Sequence, residues 1–124
     1  MITPKKVVCI EAQPHNEVIT DHILTQYGFE IRRTAHEQGT ISLIQQEAPD
    51  VLLLDMCDHH EAVWDMFHQF RHSLPTRNIP IILITPRVTT IEHIRQLYAA
   101  NAAGYLTKPY TPEDLLETID QVLS

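Results

Sequence analysis

The chain alternates two kinds of apolar pattern. Short unbroken runs occur at Val7-Val8-Cys9-Ile10, Val51-Leu52-Leu53-Leu54 and Ile81-Ile82-Leu83-Ile84. Continuous apolarity without polar alternation is how a strand covered on both faces reads. Phe29 to Thr34 and Gly104-Tyr105-Leu106-Thr107 add two more strand-like runs. Between these runs the apolar positions take up the helical period. Val18, Ile19, Ile23 and Tyr27 mark a first helix, and Ile41, Ile44 and Ala48 a weaker second one. Val63, Met66, Phe67, Phe70 and Leu74 form a third stripe, and Ile91, Ile94, Leu97 and Tyr98 a fourth. Leu115, Leu116, Ile119, Val122 and Leu123 form the last. Each stripe is one face that must pack on something.

The punctuation agrees. Gly28 closes the first helical segment and Pro49 the second. Thr111-Pro112-Glu113-Asp114 has the form of a helix start, with Thr as N-cap, Pro at the first helical position and acids in the first turn. Pro80 can open an inner strand but not interrupt one. Five strands alternating with five helices predict an α/β fold: a doubly wound, five-stranded parallel sheet with helices on both faces. At 124 residues this is a single domain spanning 1–124.

Composition narrows the function. Apolar residues make up 44% of the chain, enough for a real core. The formal net charge of −7 argues against direct nucleic-acid binding, which needs a basic face. No apolar run approaches the 18 or so residues of a membrane span, and the apolar stretch near the N-terminus is too short for a signal peptide. The expectation is a soluble, cytoplasmic domain. The two cysteines, Cys9 and Cys57, are expected to be free thiols rather than a bridge or redox pair. His59-His60, with Asp58 and Glu61 beside them, reads as a solvated loop and helix start rather than a transition-metal site, because neighbouring residues do not share one helix side.

In a doubly wound sheet, ligands bind at the carboxyl ends of the strands. Those ends hold Glu11-Ala12, Asp55-Met56-Cys57, Thr85-Pro86 and Lys108-Pro109. A carboxylate, a hydroxyl and an ammonium in this order suit reversible phosphoryl transfer to a carboxylate. Asp55 is the candidate nucleophile. Thr85 would hydrogen-bond a phosphoryl oxygen, and Lys108 would offset the charge of carboxylate and phosphate.

With these residues the chain resembles, over essentially its whole length, the receiver domain of two-component response regulators, the flavodoxin-like chemotaxis-regulator type. The resemblance makes Asp55 the phosphoacceptor, Thr85 and Lys108 its partners, and Thr85 with Tyr105 the switch pair. It implies a cis bond between Lys108 and Pro109. It also implies Mg²⁺ ligation by Glu11, Asp55 and the backbone carbonyl of Cys57. A histidine kinase or phosphotransfer protein would be the partner. The family's fourth helix, fifth strand and fifth helix would form the output face, with a homodimer as another use of that face. The domain would not be an enzyme beyond self-catalysed transfer to, and hydrolysis from, Asp55.

The departures from the family pattern bear on the metal. Ala12 stands where the family has a second acid that ligates Mg²⁺ directly. The expected consequence is weak Mg²⁺ binding. Asp58 offers another oxygen. Pro86 replaces a small residue near the entry, the segment after Asp55 lacks the usual Pro, and Val63 stands where Gly is common. The competing function is therefore a degenerate pseudo-receiver, an interaction module that works without phosphorylation. A small flavin-binding protein or enzyme is a poorer third reading, because three glycines leave little room for a Gly-rich phosphate loop.

Overall fold

The computed structural model describes residues 4–11, 18–35, 39–56, 60–87 and 90–124. The elements follow one another as β1 (Lys5–Glu11), α1 (Val18–Gln26), β2 (Phe29–Ala35), α2 (Thr40–Glu47), β3 (Val51–Asp55), α3 (His60–His72), β4 (Ile81–Thr85), α4 (Ile91–Ala100), β5 (Gly104–Thr107) and α5 (Pro112–Leu123). All strand pairs are parallel, in the order β2-β1-β3-β4-β5. The order reverses direction between β1 and β3, which makes their carboxyl ends the topological switch point.

Two cores sandwich the sheet. On one face Val8, Ile10, Leu52, Leu54, Ile81 and Leu83 pack with Ile44 of α2 and Val63, Met66, Phe67 and Phe70 of α3. On the other, Val7, Cys9, Val51, Leu53, Ile82 and Ile84 pack with Leu24 of α1 and Leu115 and Ile119 of α5. Strict alternation along each central strand explains why these runs are apolar throughout, since both parities are buried. The start of α5 carries a full capping box. Thr111 Oγ1 accepts from the Asp114 amide at 3.0 Å, and the Asp114 carboxylate accepts from the Thr111 amide at 3.1 Å.

The helical stripes of the sequence hold only in part. Ile19 and Tyr27 are exposed, and the buried anchor of α1 is Leu24 instead. Leu74 lies beyond the end of α3 and is exposed. Ala48 is the left-handed C-cap of α2 rather than part of its packed face. In α4 no residue is buried: Ile91 is 71% and Tyr98 88% exposed, with Leu97 alone of its stripe turned toward the core. The reason is positional. β5 is a four-residue edge strand, so α4 has little sheet to lie on.

Candidate functional site

The parallel register brings the site together from distant parts of the chain. β1 and β3 pair up to Ile10 with Leu54, which leaves Glu11 and Asp55 as the next residues along neighbouring strands. Cys9 and Leu53, two residues earlier, belong to the core beneath α1 and α5, so the period of two directs Glu11 and Asp55 to that same side. Asp55 is half-buried at the end of β3. Lys108, just past β5, donates from Nζ to Asp55 Oδ2 at 2.6 Å. Backbone bonds fix the frame around them: the Lys108 amide donates to the Thr85 carbonyl at 2.9 Å, and the Met56 amide to the Ile84 carbonyl at 2.8 Å. The Lys108–Pro109 bond is cis.

Thr85 is buried and occupies the other parity of β4. It lines a cavity of about 480 Å³ between α4 and β5, together with Ile94, Leu97, Tyr98, Tyr105 and Thr107. Tyr105 is tied to the end of α4: its hydroxyl donates to the Leu97 carbonyl at 2.6 Å and accepts from the Ala102 amide at 2.9 Å. The two switch candidates therefore share one cavity, and neither Asp55 nor Lys108 is among the residues that line it. Pro86 lines a second, open cavity beside Lys108, together with Thr20, Arg87, Pro109 and Tyr110.

Glu11 has partners that were not foreseen from the sequence. Arg33, on β2 opposite Cys9, donates from Nη1 to Glu11 Oε1 at 2.5 Å. The same guanidinium grips Asp21 of α1, with Nη2 at 2.8 Å and Nε at 3.2 Å from Oδ1. Cys9 Sγ donates to Glu11 Oε1 at 3.4 Å. The Arg33 side chain is 10% exposed and that of Glu11 7%, so this is a nearly buried charge network. Burial opposes the charge of Arg33, yet the hydrogen bond to Asp21 and the neighbouring negative charges hold its pKa above the ordinary arginine value. Burial first, and then the charge of Glu11, push the Cys9 thiol well up.

The sequence carried a signal for this network. Arg33 shares the parity of Phe29 and Ile31, which pack on the core, whereas Arg32 points outward to Glu47 at 2.8 Å. A charged residue on the buried parity of a strand demands a buried partner. Asp21, in the first turn of a helix, carried no comparable signal.

Of the Mg²⁺ ligands expected from the resemblance, Glu11 and Asp55 lie among the described residues. Glu11 Oε1 already accepts from two donors, so its oxygen faces N–H and S–H groups rather than an open coordination position. That arrangement is a poor fit for Mg²⁺, which wants oxygen ligands in near-octahedral array. Asp55 retains its carboxylate but holds Lys108. Ala12, Cys57, Asp58 and His59 lie outside the described residues. Among the described residues no group of three or more His, Cys, Asp or Glu side chains is placed to hold a metal ion. Cys9 is a free, buried thiol.

Comparisons with known proteins bear on the family and the fold. Residues 7–120 match the model of the response regulator receiver domain. The chain belongs to that family. Over 122 residues it is 26% identical to protein PilH of Pseudomonas aeruginosa, covering 96% of this chain and 98% of that protein. It is 26% identical over 120 residues to the phosphate regulon transcriptional regulatory protein PhoB of Escherichia coli, covering 96% of this chain but only 52% of PhoB. The receiver thus spans about half the length of the PhoB relatives it matches. Among solved structures, the chemotaxis response regulator CheY4 of Vibrio cholerae superposes with a TM-score of 0.80 at 25% identity, over 98% of this chain and all of that one. A response regulator from Desulfuromonas acetoxidans gives a TM-score of 0.81 at 19% identity, covering 96% of both chains, a likeness of fold. Among the described residues no helix is long and apolar enough to cross a membrane.

Proposed function

We propose that this receiver accepts a phosphoryl group on Asp55 from a histidine kinase or phosphotransfer protein, in a cytoplasmic setting. The observation that carries the reading is the Asp55–Lys108 contact of 2.6 Å at the carboxyl ends of β3 and β5, beside the switch point of the sheet. An Asp55 oxygen attacks phosphorus, the bond from phosphorus to the donor's histidine nitrogen breaks, and the imidazole leaves and takes up a proton. Lys108 offsets the negative charge that gathers on the acyl phosphate. The domain contributes its own catalysis and no separate enzymatic activity. Output runs through α4, β5 and α5, where Ile91, Ile94, Tyr98 and Tyr105 are exposed. Such apolar and aromatic area suits a protein partner or a second copy.

Acetyl phosphate tests the reading. Intact mass spectrometry should show a gain of one phosphoryl group, and Asp55→Asn should abolish it. The absence of any gain, with and without Mg²⁺, overturns it.

A second reading has its own observation. Glu11 is held by Arg33 rather than left open to a metal, which favours a pseudo-receiver that signals by constitutive contacts. That reading predicts partner binding unchanged in Asp55→Asn.

A further inference from the structure

We propose that Arg33 is a resident cation that bridges Glu11 to Asp21 and so withholds Glu11 from divalent-ion ligation in this receiver. The proposal rests on the receiver reading above and concerns how its site is regulated. Three observations carry it. First, one guanidinium bridges two carboxylates from different elements, Glu11 at the end of β1 and Asp21 on α1, at 2.5 and 2.8 Å. Second, the bridge is nearly buried at the Glu11 side, where both partners are about nine-tenths covered. Third, Glu11 Oε1 also accepts from Cys9, so the oxygen is oriented into the protein.

The chemistry of the substitution is specific. A guanidinium is planar, permanently charged and able to span two carboxylates at once. A metal ion equilibrates with solution and can be removed by a chelator; Arg33 is covalently part of β2 and can be neither titrated nor stripped at working pH. A receiver built this way meets Mg²⁺ with Glu11 already committed. Its state does not follow the Mg²⁺ concentration, and chelation leaves it unchanged. Without the guanidinium, Glu11 and Asp21 would lose the cation they share, and carboxylate oxygens of that kind are the ligands a hard divalent ion prefers.

The test is a calorimetric titration of the intact domain with MgCl₂, without any phosphodonor. The wild type should show no saturable binding in the low millimolar range. Arg33→Met should bind at least about tenfold tighter, because removing a unit positive charge a few ångströms from a divalent ion is worth more than one factor of ten at a protein-surface dielectric. Saturable low-millimolar binding by the wild type, or no gain in a folded Arg33→Met, overturns the proposal. The wild type also decides the matter alone. In its ¹H–¹⁵N spectrum the Arg33 Nε–H peak should stay fixed as MgCl₂ is added, and a saturable shift would show the metal competing for the same carboxylates. These outcomes are separate from acetyl phosphate labelling. A wild type that binds Mg²⁺ leaves Asp55 as acceptor intact, and an unlabelled protein leaves the Arg33 result intact.

Discussion

Replacing Arg33 by Met keeps most of the apolar stem and removes the charge. Glu11, 7% exposed in its side chain, then becomes a nearly buried carboxylate without its guanidinium. Breaking a buried pair from one side costs about 3–5 kcal/mol, mostly the desolvation of the charge left behind. The Asp21 arm adds less, because that carboxylate is 29% exposed and water screens it. Glu11→Gln is a smaller perturbation. Arg33 keeps Asp21, and the loss is that of one hydrogen bond to a charged group, about 1.5–3 kcal/mol. The double variant strands no buried charge at position 11, so it should be more stable than the sum of the singles by about 2 kcal/mol, within the range of residues in direct contact. Against a typical domain stability of about 5–15 kcal/mol, each variant remains measurable. Urea denaturation followed by Trp64 fluorescence, in a chelator and with the slope checked for constancy, reads all four proteins. An Arg33→Met loss below about 1 kcal/mol, the worth of an exposed ion pair, would refute the reasoning. So would strict additivity in the double variant.

Four further outcomes follow from the same structure. Cys9 holds its proton more tightly folded than unfolded, because burial and Glu11 raise its pKa; its contribution is full below the unfolded thiol's pKa of about 8.5 and is lost above it, at up to about 1.4 kcal/mol per pH unit. Cys9→Ala should therefore flatten the alkaline fall in stability, and an unchanged slope counts against this. Phe70→Ala removes a fully buried ring from the α3 core and should cost about 3–5 kcal/mol in the same urea assay. Thr111→Ala breaks the capping box and should cost about 1 kcal/mol, with amide exchange in the first turn of α5 speeding up. Tyr105→Phe removes the hydroxyl's bonds to Leu97 and Ala102, so the Ala102 amide should lose exchange protection; unchanged protection would mean the hydroxyl does not tie β5 to α4.

Much of the fold was legible because the central strands are buried on both faces. Val51 to Leu54 and Ile81 to Ile84 carry no alternation to misread, and Thr111 with Asp114 states the start of α5 in a local code. The faces of α1 and α4 were less legible. Helical period finds an apolar stripe but cannot say how much sheet lies beneath it, and at the β5 edge there is little, so Ile91 and Tyr98 remain in solvent. At the site, Asp55 and Lys108 could be paired from sequence because strand ends in a parallel sheet converge. The partners of Glu11 could not be assigned so simply. They depend on which way Arg33 points from β2 and on Asp21 reaching it from α1, two facts that only the packed register joins. Ala12 marks a departure from the family's acid within the sequence itself, whereas the guanidinium that holds Glu11 is seen only once β2 is packed beside β1. An arginine on the core parity of an edge strand was the available clue.

The central claim is that Asp55 is the acceptor beside Lys108, with Glu11 already committed to Arg33. The most direct measurement is the rate of acetyl phosphate labelling of the intact domain, read by mass in a chelator and again in millimolar Mg²⁺. Equal rates in the two conditions, with no label on Asp55→Asn, are the predicted result. Labelling that requires Mg²⁺, or that never occurs, would contradict it.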